Sequence, residues 1–267
     1  MRERDDDDSP DRTWEIAGKI GRDDPHIRVI RRLGRRGLSS AVIEGFLAAK
    51  GSVLAVMDAD GQHDMSLLPA LRDAAERNRG IALGSRYAEG GGFGDWKKER
   101  LKLSQFATWL THKVCKVKAS DPMSGFFAVD RNVFESVVDK LNPKGFKILL
   151  DILVRVSADT PVTEIPFTFA SRLRGESKLS WRVQLEFLEY LYEVALGKYV
   201  PLTFLKYCIV GSIGVLVHLA AYRTASFFFF EEPSGTTIRG FSAAVLVAIE
   251  VAIIFNFLLN NVWTFAR

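Results

Sequence analysis

The chain has 267 residues, enough for one sizeable domain with an appendage. Its 36 Lys+Arg stand against 32 Asp+Glu, an excess too small to mark a nucleic-acid binder. Apolar residues make up 48% but are spread unevenly: residues 1–199 read as a soluble α/β domain, residues 200–267 as a membrane domain with few charges. Cys115 and Cys208 sit in helical, apolar surroundings and form no disulfide or metal pattern, so packing is expected of both. The first eleven residues are nearly all charged and match no signal peptide.

In chain order, residues 5–11 read as a polar loop, with no room for a strand before Asp5. A helix is expected from Thr13 to Ile20, capped by Asp11 or Ser9. Residues 26–31 alternate as a strand does, and Ser39 or Ser40 should start a helix reaching Lys50. Residues 53–57 are an apolar run of the kind buried on both faces of a parallel sheet. The run stops at Asp58-Ala-Asp-Gly-Gln-His63. In an open α/β sheet, ligands bind beyond the carboxyl ends of strands. Asp58, Asp60 and Gln62 would there offer oxygen ligands at a spacing that suits a hard divalent cation. A strand-end loop whose acids cap the next helix would use the same residues.

A helix over residues 66–79 and a strand over 80–85 follow, so the strand–helix alternation predicts a doubly wound, mostly parallel sheet. After Gly84-Ser-Arg-Tyr87 comes a Gly-rich loop, then a helix over residues 97–116 with cations at 97, 98, 100 and 102. Cations at a helix start oppose its dipole and call for anionic partners, phosphate among them, or else a solvated face. Leu101, Phe106, Trp109, Leu110 and Val114 would face the domain or a membrane surface. Asp121-Pro-Met-Ser-Gly-Phe-Phe127 sets an acid, a proline and a glycine before another strand. There Gly125 permits close approach to a ligand, and Asp121 could serve as a base. A tight structural turn would use the same residues. Past a strand at residues 162–169, Arg172, Arg174 and Lys178 form a cationic loop for phosphate or lipid headgroups.

These four motifs, with the opening Asp-Asp-Asp-Ser-Pro-Asp and the segment from Arg36, resemble the dolichol-phosphate mannose synthases. Those are inverting family 2 glycosyltransferases of the GT-A fold, built on a mixed doubly wound sheet, and the resemblance covers residues 5 to about 195. It implies transfer of mannose from GDP-mannose to a polyprenyl (dolichyl) phosphate. It places Mg²⁺ or Mn²⁺ on Asp58, Asp60 and Gln62, and phosphates on Arg86, Arg100, Arg172 or Arg174, and Lys178. Asp60, Arg100 and Asp121 become the catalytic candidates, with Asp8 and Ser124 among the substrate contacts. Because a lipid phosphate is already an anion, Asp121 is expected to orient a sugar hydroxyl or an arginine rather than to remove a proton. The Pro-x-Tyr-Asn-Glu strand with which the family usually begins has no counterpart here. Two other readings stay open: a UDP-glucose-dependent transferase, and a non-catalytic membrane partner.

Residues 204–230 and 241–262 are long enough to cross a hydrocarbon core of about 30 Å. Gly211 and Gly214 permit close helix contact, which also leaves room for association with further copies. Trp263 would mark the interface at the end of the second span. The Phe-x-Lys-Tyr start and the Asn-Phe…Asn…Trp-Thr-Phe end resemble the first half of the four-helix GtrA-like membrane domain. Arg223 and Glu250 fall inside the spans and would be paired, functional or, for Arg223, snorkelling. The expected arrangement is a bilayer-embedded enzyme with its catalytic domain on the cytoplasmic side.

Overall fold

The computed structural model describes the chain apart from residues 1, 8, 10, 95, 97, 144, 171–180, 229–236, 239, 240, 266 and 267. Two compact units are present, Met1–Phe187 and Leu188–Arg267.

The first unit opens with strand β1 (Arg2–Asp6), helix α1 (Thr13–Asp23), strand β2 (Ile27–Arg31) and helix α2 (Leu38–Ala48). The strand at Arg2–Asp6 corrects the expected polar loop. It pairs in parallel with β2 over five residue pairs, and backbone ladders form whatever the side chains are, so five charged residues gave no apolar pattern to read. Its last residue, Asp6, is buried and accepts a hydrogen bond from Ser9 N at 2.7 Å. Arg12 holds the cap position of α1 in place of the expected Asp11 or Ser9, although Asp11 accepts from Thr13 N at 3.1 Å, and neither Ser39 nor Ser40 starts α2. Gly37 holds the cap position at φ 133°, and its N–H donates to Asp7 Oδ2 at 2.9 Å. Arg32, with no exposed surface, ties this corner together through Asp7, Ser40 and Glu44.

Strand β3 (Val53–Val56), helix α3 (Leu68–Asn78), strand β4 (Ile81–Ser85), helix α4 (Lys98–Cys115) and strand β5 (Phe127–Asp130) come next. Helices α5 (Arg131–Glu135) and α6 (Ile148–Arg155) precede strand β6 (Val162–Pro166). The four strands lie in the order β3-β5-β4-β6, with β4 and β6 parallel and β5 antiparallel to both its neighbours. The sheet is therefore mixed rather than mostly parallel. Side chains alternate between its faces as a period of two requires. Leu83, Phe127 and Val129 pack with Phe46, Phe134, Leu149 and Ile152 on one side, Ala82, Phe126 and Ala128 with Leu71 and Ala75 on the other. Strands β4 and β5 are buried throughout. By contrast β3 lies at the edge of this sheet with Ala55 exposed, so it is not the doubly covered strand that its apolar run predicted. On α4 the buried residues are Thr108 and Thr111, while Phe106 and Trp109 stack on each other at 5.8 Å and stay exposed.

Helix α7 (Trp181–Leu196) leads into the second unit, which holds helix α8 (Leu202–Phe228), short strands β7 (Thr237–Ile238) and β8 (Phe241–Ser242), and helix α9 (Ala243–Leu259). The last turn of α9 widens into a π-helical turn over Asn260–Thr264. The 27 residues of α8 and the 22 residues from Ala243 to Thr264 reach about 40 Å and 33 Å at 1.5 Å per residue, enough for a bilayer core. Only 11% of each apolar window is buried, so these are not core helices of a soluble domain. Side chains such as Leu216, Phe227, Ile254 and Phe257 face outward. Lys206 pairs with Glu189 at 2.7 Å. Arg223 and Glu250 are both exposed and form no ion pair among the described residues.

The two helices meet at Gly214, where an added Cβ would fall 2.3 Å from Asn256 Oδ1. At Gly211 a Cβ would meet nothing within 4 Å. Gly214→Val is thus expected to lower the thermal midpoint of the detergent-solubilised chain by several degrees, whereas Gly211→Val leaves it within about 1 °C, the small shift of a surface change. Equal effects of the two substitutions would contradict this packing.

Candidate active site at one edge of the sheet

Strands β3, β4 and β6 run in one direction and β5 in the other. The carboxyl ends of three strands and the entry to the fourth therefore share one edge. Four segments of distant sequence meet there: residues 57–63, 84–94, 121–126 and 167–170. Gly84 N donates to Phe126 O at 2.8 Å, and Ala170 N to Gln62 O at 3.2 Å. Ser124 Oγ donates to Gly84 O at 2.7 Å and accepts from Phe126 N at 3.2 Å. Its hydroxyl thus holds the turn against β4, and the residue also borders a cavity beside Asp58.

The best-defined charged pair is Arg86 with Asp121. Arg86 Nε and Nη2 both donate to the carboxylate at 2.7 Å, and Arg86 N adds a third bond at 3.1 Å. Asp121 has no exposed surface, and the arginine side chain is 11% exposed. With both oxygens engaged in a two-pronged pair, Asp121 orients an arginine and is not placed to act as a base. Burial alone would lower the Arg86 pKa; the hydrogen bonds and charge of Asp121 more than offset it, and the pKa stands above its ordinary value. Arg86 Nη1 has no hydrogen-bond partner among the described residues.

Asp58 follows β3 and faces Gly125, where an added Cβ would stand 2.8 Å from Asp58 Oδ2. A carboxylate thus approaches the backbone closely at Gly125, which also borders a cavity. Asp60 Oδ1 accepts from Gln62 N at 3.1 Å, and the buried Gln62 donates its amide Nε2 to Ala170 O at 2.9 Å. That bond fixes which way the carboxamide is turned. His63 is buried among Phe126, Phe167 and Phe169 with ring centroids at 5.0–5.5 Å, and its Nε2 lies 3.6 Å from Asp58 Oδ2. Helix capping falls to another acid, since Asp64 accepts from Ser66 N at 2.9 Å at the start of the turn before α3. Among the described residues no three His, Cys, Asp or Glu side chains form a metal cluster.

Arg100 lies over the ring of Trp96 at 3.9 Å, and Arg86 stands 5.4 Å from the same ring. Two guanidiniums thus share one aromatic partner, and Trp96 packs in turn on Phe93 and Phe169. Asp8, Arg172, Arg174 and Lys178 lie outside the described residues. Lys147 is a group that the motifs did not flag. It borders a cavity of about 150 Å³ together with Asp58, Ser124 and Gly125. The available signal was a lone cation opening the apolar run of α6.

Fold and site together define a glycosyltransferase of the GT-A type. Residues 6–138 match the family Glycosyl transferase family 2, and residues 206–267 match the GtrA/DPMS transmembrane domain. The dolichol-phosphate mannosyltransferase of Pyrococcus furiosus is 41% identical over 264 residues, which is 97% of this chain and 71% of that protein. The protein of the same name in Saccharomyces cerevisiae is 38% identical over 200 residues, 73% of this chain and 74% of that one. Polyprenol monophosphomannose synthase of Mycolicibacterium smegmatis is 35% identical over 181 residues, 66% and 68% of the two chains. Glucosyl-3-phosphoglycerate synthase of Mycobacterium tuberculosis, solved with Mn²⁺, UDP-glucose and phosphoglyceric acid, shares the fold at a TM-score of 0.52 and 18% identity, covering 72% of this chain and 68% of its own. The chain belongs to glycosyl transferase family 2, and it is a membrane protein.

Removing one partner of a buried ion pair strands the other charge at a cost of about 3–5 kcal/mol. Asp121→Ala should show that loss in chemical denaturation of the detergent-solubilised chain, and adding Arg86→Met should recover part of it. A cost below about 1 kcal/mol, as for an exposed pair, would mean that the pair does not organise this edge.

Proposed function

We propose that the chain transfers mannose from GDP-mannose to the phosphate of a polyprenol such as dolichol. The observation that carries this reading is the 41% identity to a dolichol-phosphate mannosyltransferase across 97% of the chain, which includes both the sheet-edge site and the two apolar helices. The other relatives bear names of the same chemistry.

The donor set fits a hard divalent cation. Asp58 and Asp60 supply carboxylate oxygens and Gln62 a carboxamide oxygen, and the amide NH₂ is already committed to Ala170 O. In this reading Asp58, Asp60 and Gln62 hold Mg²⁺ or Mn²⁺, which when bound neutralises charge on the leaving diphosphate. The rest of the work falls to the protein. Arg86, aimed by Asp121, and Arg100, held on Trp96, bind phosphoryl oxygens and screen donor from acceptor. The acceptor phosphate is ionised at neutral pH, so no general base is required. One of its oxygens forms the new bond at the anomeric carbon as the bond to the diphosphate breaks. Alignment of the two is the main demand on the site.

The catalytic domain is assigned to the cytoplasmic side, with both ends of the helical pair returning there. Lys198 and Lys206 flank the start of the first span and Arg267 follows the second, while the connection carries Glu231 and Glu232 against Arg239, in line with the inside bias of cations.

The test is a competition between donors. Membranes containing the chain, supplied with polyprenyl phosphate, should move radiolabel from GDP-mannose into lipid at least tenfold faster than from UDP-glucose. Preferential labelling from UDP-glucose would replace mannose with glucose in this reading. No lipid labelling from either donor would favour a non-catalytic membrane partner.

A further inference from the structure

The cavity beside Asp58 has a second charged wall that the transfer chemistry above leaves unused. Lys147 occupies the residue before α6, and its side chain borders the cavity of about 150 Å³ with Asp58, Ser124 and Gly125. The Nζ atom lies 4.6 Å from the Phe146 ring centroid, and it has no ion-pair partner among the described residues. Burial holds the ammonium pKa down at about 8; Arg86 pushes in the same direction, while Asp121 and Asp58 oppose both. Arg86 and Asp121 neutralise each other in their pair, which leaves Lys147 as the cation that borders this cavity without an ion pair among the described residues.

The position is as unusual as the charge. A cation at a helix N-terminus opposes the dipole and weakens the helix. The first N–H groups of a helix lack partners within it, and no side chain caps the start of α6. Ile148 and Leu149 at that start also border the cavity. A desolvated ammonium and an uncapped helix start on one small cavity are each unfavourable alone, and both are relieved by a bound anion. The volume is several times the roughly 30 Å³ share of one water in the liquid, which admits a phosphoryl group.

We propose that Lys147 and the N-terminus of α6 form a phosphate-binding wall of the active site, with Lys147 a substrate-binding residue. The proposal rests on the reading of this edge as a nucleotide-sugar site. Two substrates carry phosphoryl groups, the nucleotide diphosphate and the lipid phosphate, and the arms of the test separate them.

The full chain in detergent would be titrated with GDP in the presence of Mn²⁺, as wild type, Lys147→Met and Lys147→Arg. In parallel, KM for polyprenyl phosphate would be measured and the thermal midpoint recorded without nucleotide. Losing a charge-assisted contact should weaken GDP binding about ten- to a hundredfold in Lys147→Met. The midpoint should stay level or rise, because a half-buried cation without an ion pair among the described residues has been removed from a helix start. Lys147→Arg should recover much of the binding. Unchanged GDP binding with a raised KM for the lipid would assign the wall to the acceptor phosphate. No change in either would overturn the proposal. If Lys147→Met lowers both binding and the midpoint, Lys147→Arg decides: restored binding upholds the proposal and failed restoration defeats it. Should the wild type bind GDP through Lys147 yet transfer no mannose, this inference stands and the transfer reading falls.

Discussion

The reversed direction of β5 is the constraint on which the site depends. Because β5 runs against both its neighbours, the residues that enter it arrive at the edge where β3, β4 and β6 leave. Asp121 thereby reaches Arg86, Gly125 reaches Asp58 and Ser124 reaches Gly84. A parallel β5 would carry the same motif to the opposite end of the sheet. The fully buried Phe127 and Val129 pack on one face and Phe126 and Ala128 on the other, so a slip of one residue would exchange the two sets and be resisted by both cores.

The electrostatic design follows from that convergence. A buried ion pair is weak evidence for stability, because desolvation offsets much of the attraction. Here the pair fixes geometry: two prongs of Arg86 are held by Asp121, which has no exposed surface. Asp58 and Lys147 both border one cavity, and an anionic substrate with a divalent cation would satisfy both. Such a site costs the empty protein stability in exchange for preorganised charge. Gln62 and Arg100 are mounted in the same manner, one on a backbone carbonyl and the other on an indole ring.

Local spacing carried much of this in the sequence. The order of motifs gave the family, the apolar runs gave the two membrane-length helices, and Asp58-Ala-Asp-Gly-Gln-His63 marked the strand end. What stayed hidden depends on residues far apart in the chain. Arg86 and Asp121 are separated by 35 positions, and nothing local to Asp121 distinguishes a base from an anchor. The bond from the Ser124 hydroxyl to Gly84 O spans 40 positions and has no local signal. Gly125 reads as a place of close approach, and the group found closest to it is the carboxylate of Asp58, 67 positions away. The strand Arg2–Asp6 has no apolar pattern, since its ladder is made by backbone alone. Edge exposure of Ala55 depends on which strands lie alongside, which an apolar run cannot report. Lys147 carries no motif, and its meaning comes from the cavity it borders.

The central claim is that the acids after β3 serve a metal-dependent diphosphate site rather than the local fold, and Asp60→Asn tests it most directly. Asparagine keeps an oxygen for the hydrogen bond from Gln62 N, so the thermal midpoint should not move. Calorimetric titration of GDP with and without Mn²⁺ should show metal-enhanced binding in the wild type and at least a tenfold loss of that enhancement in the variant. Undiminished Mn²⁺-dependent binding in Asp60→Asn would contradict the account.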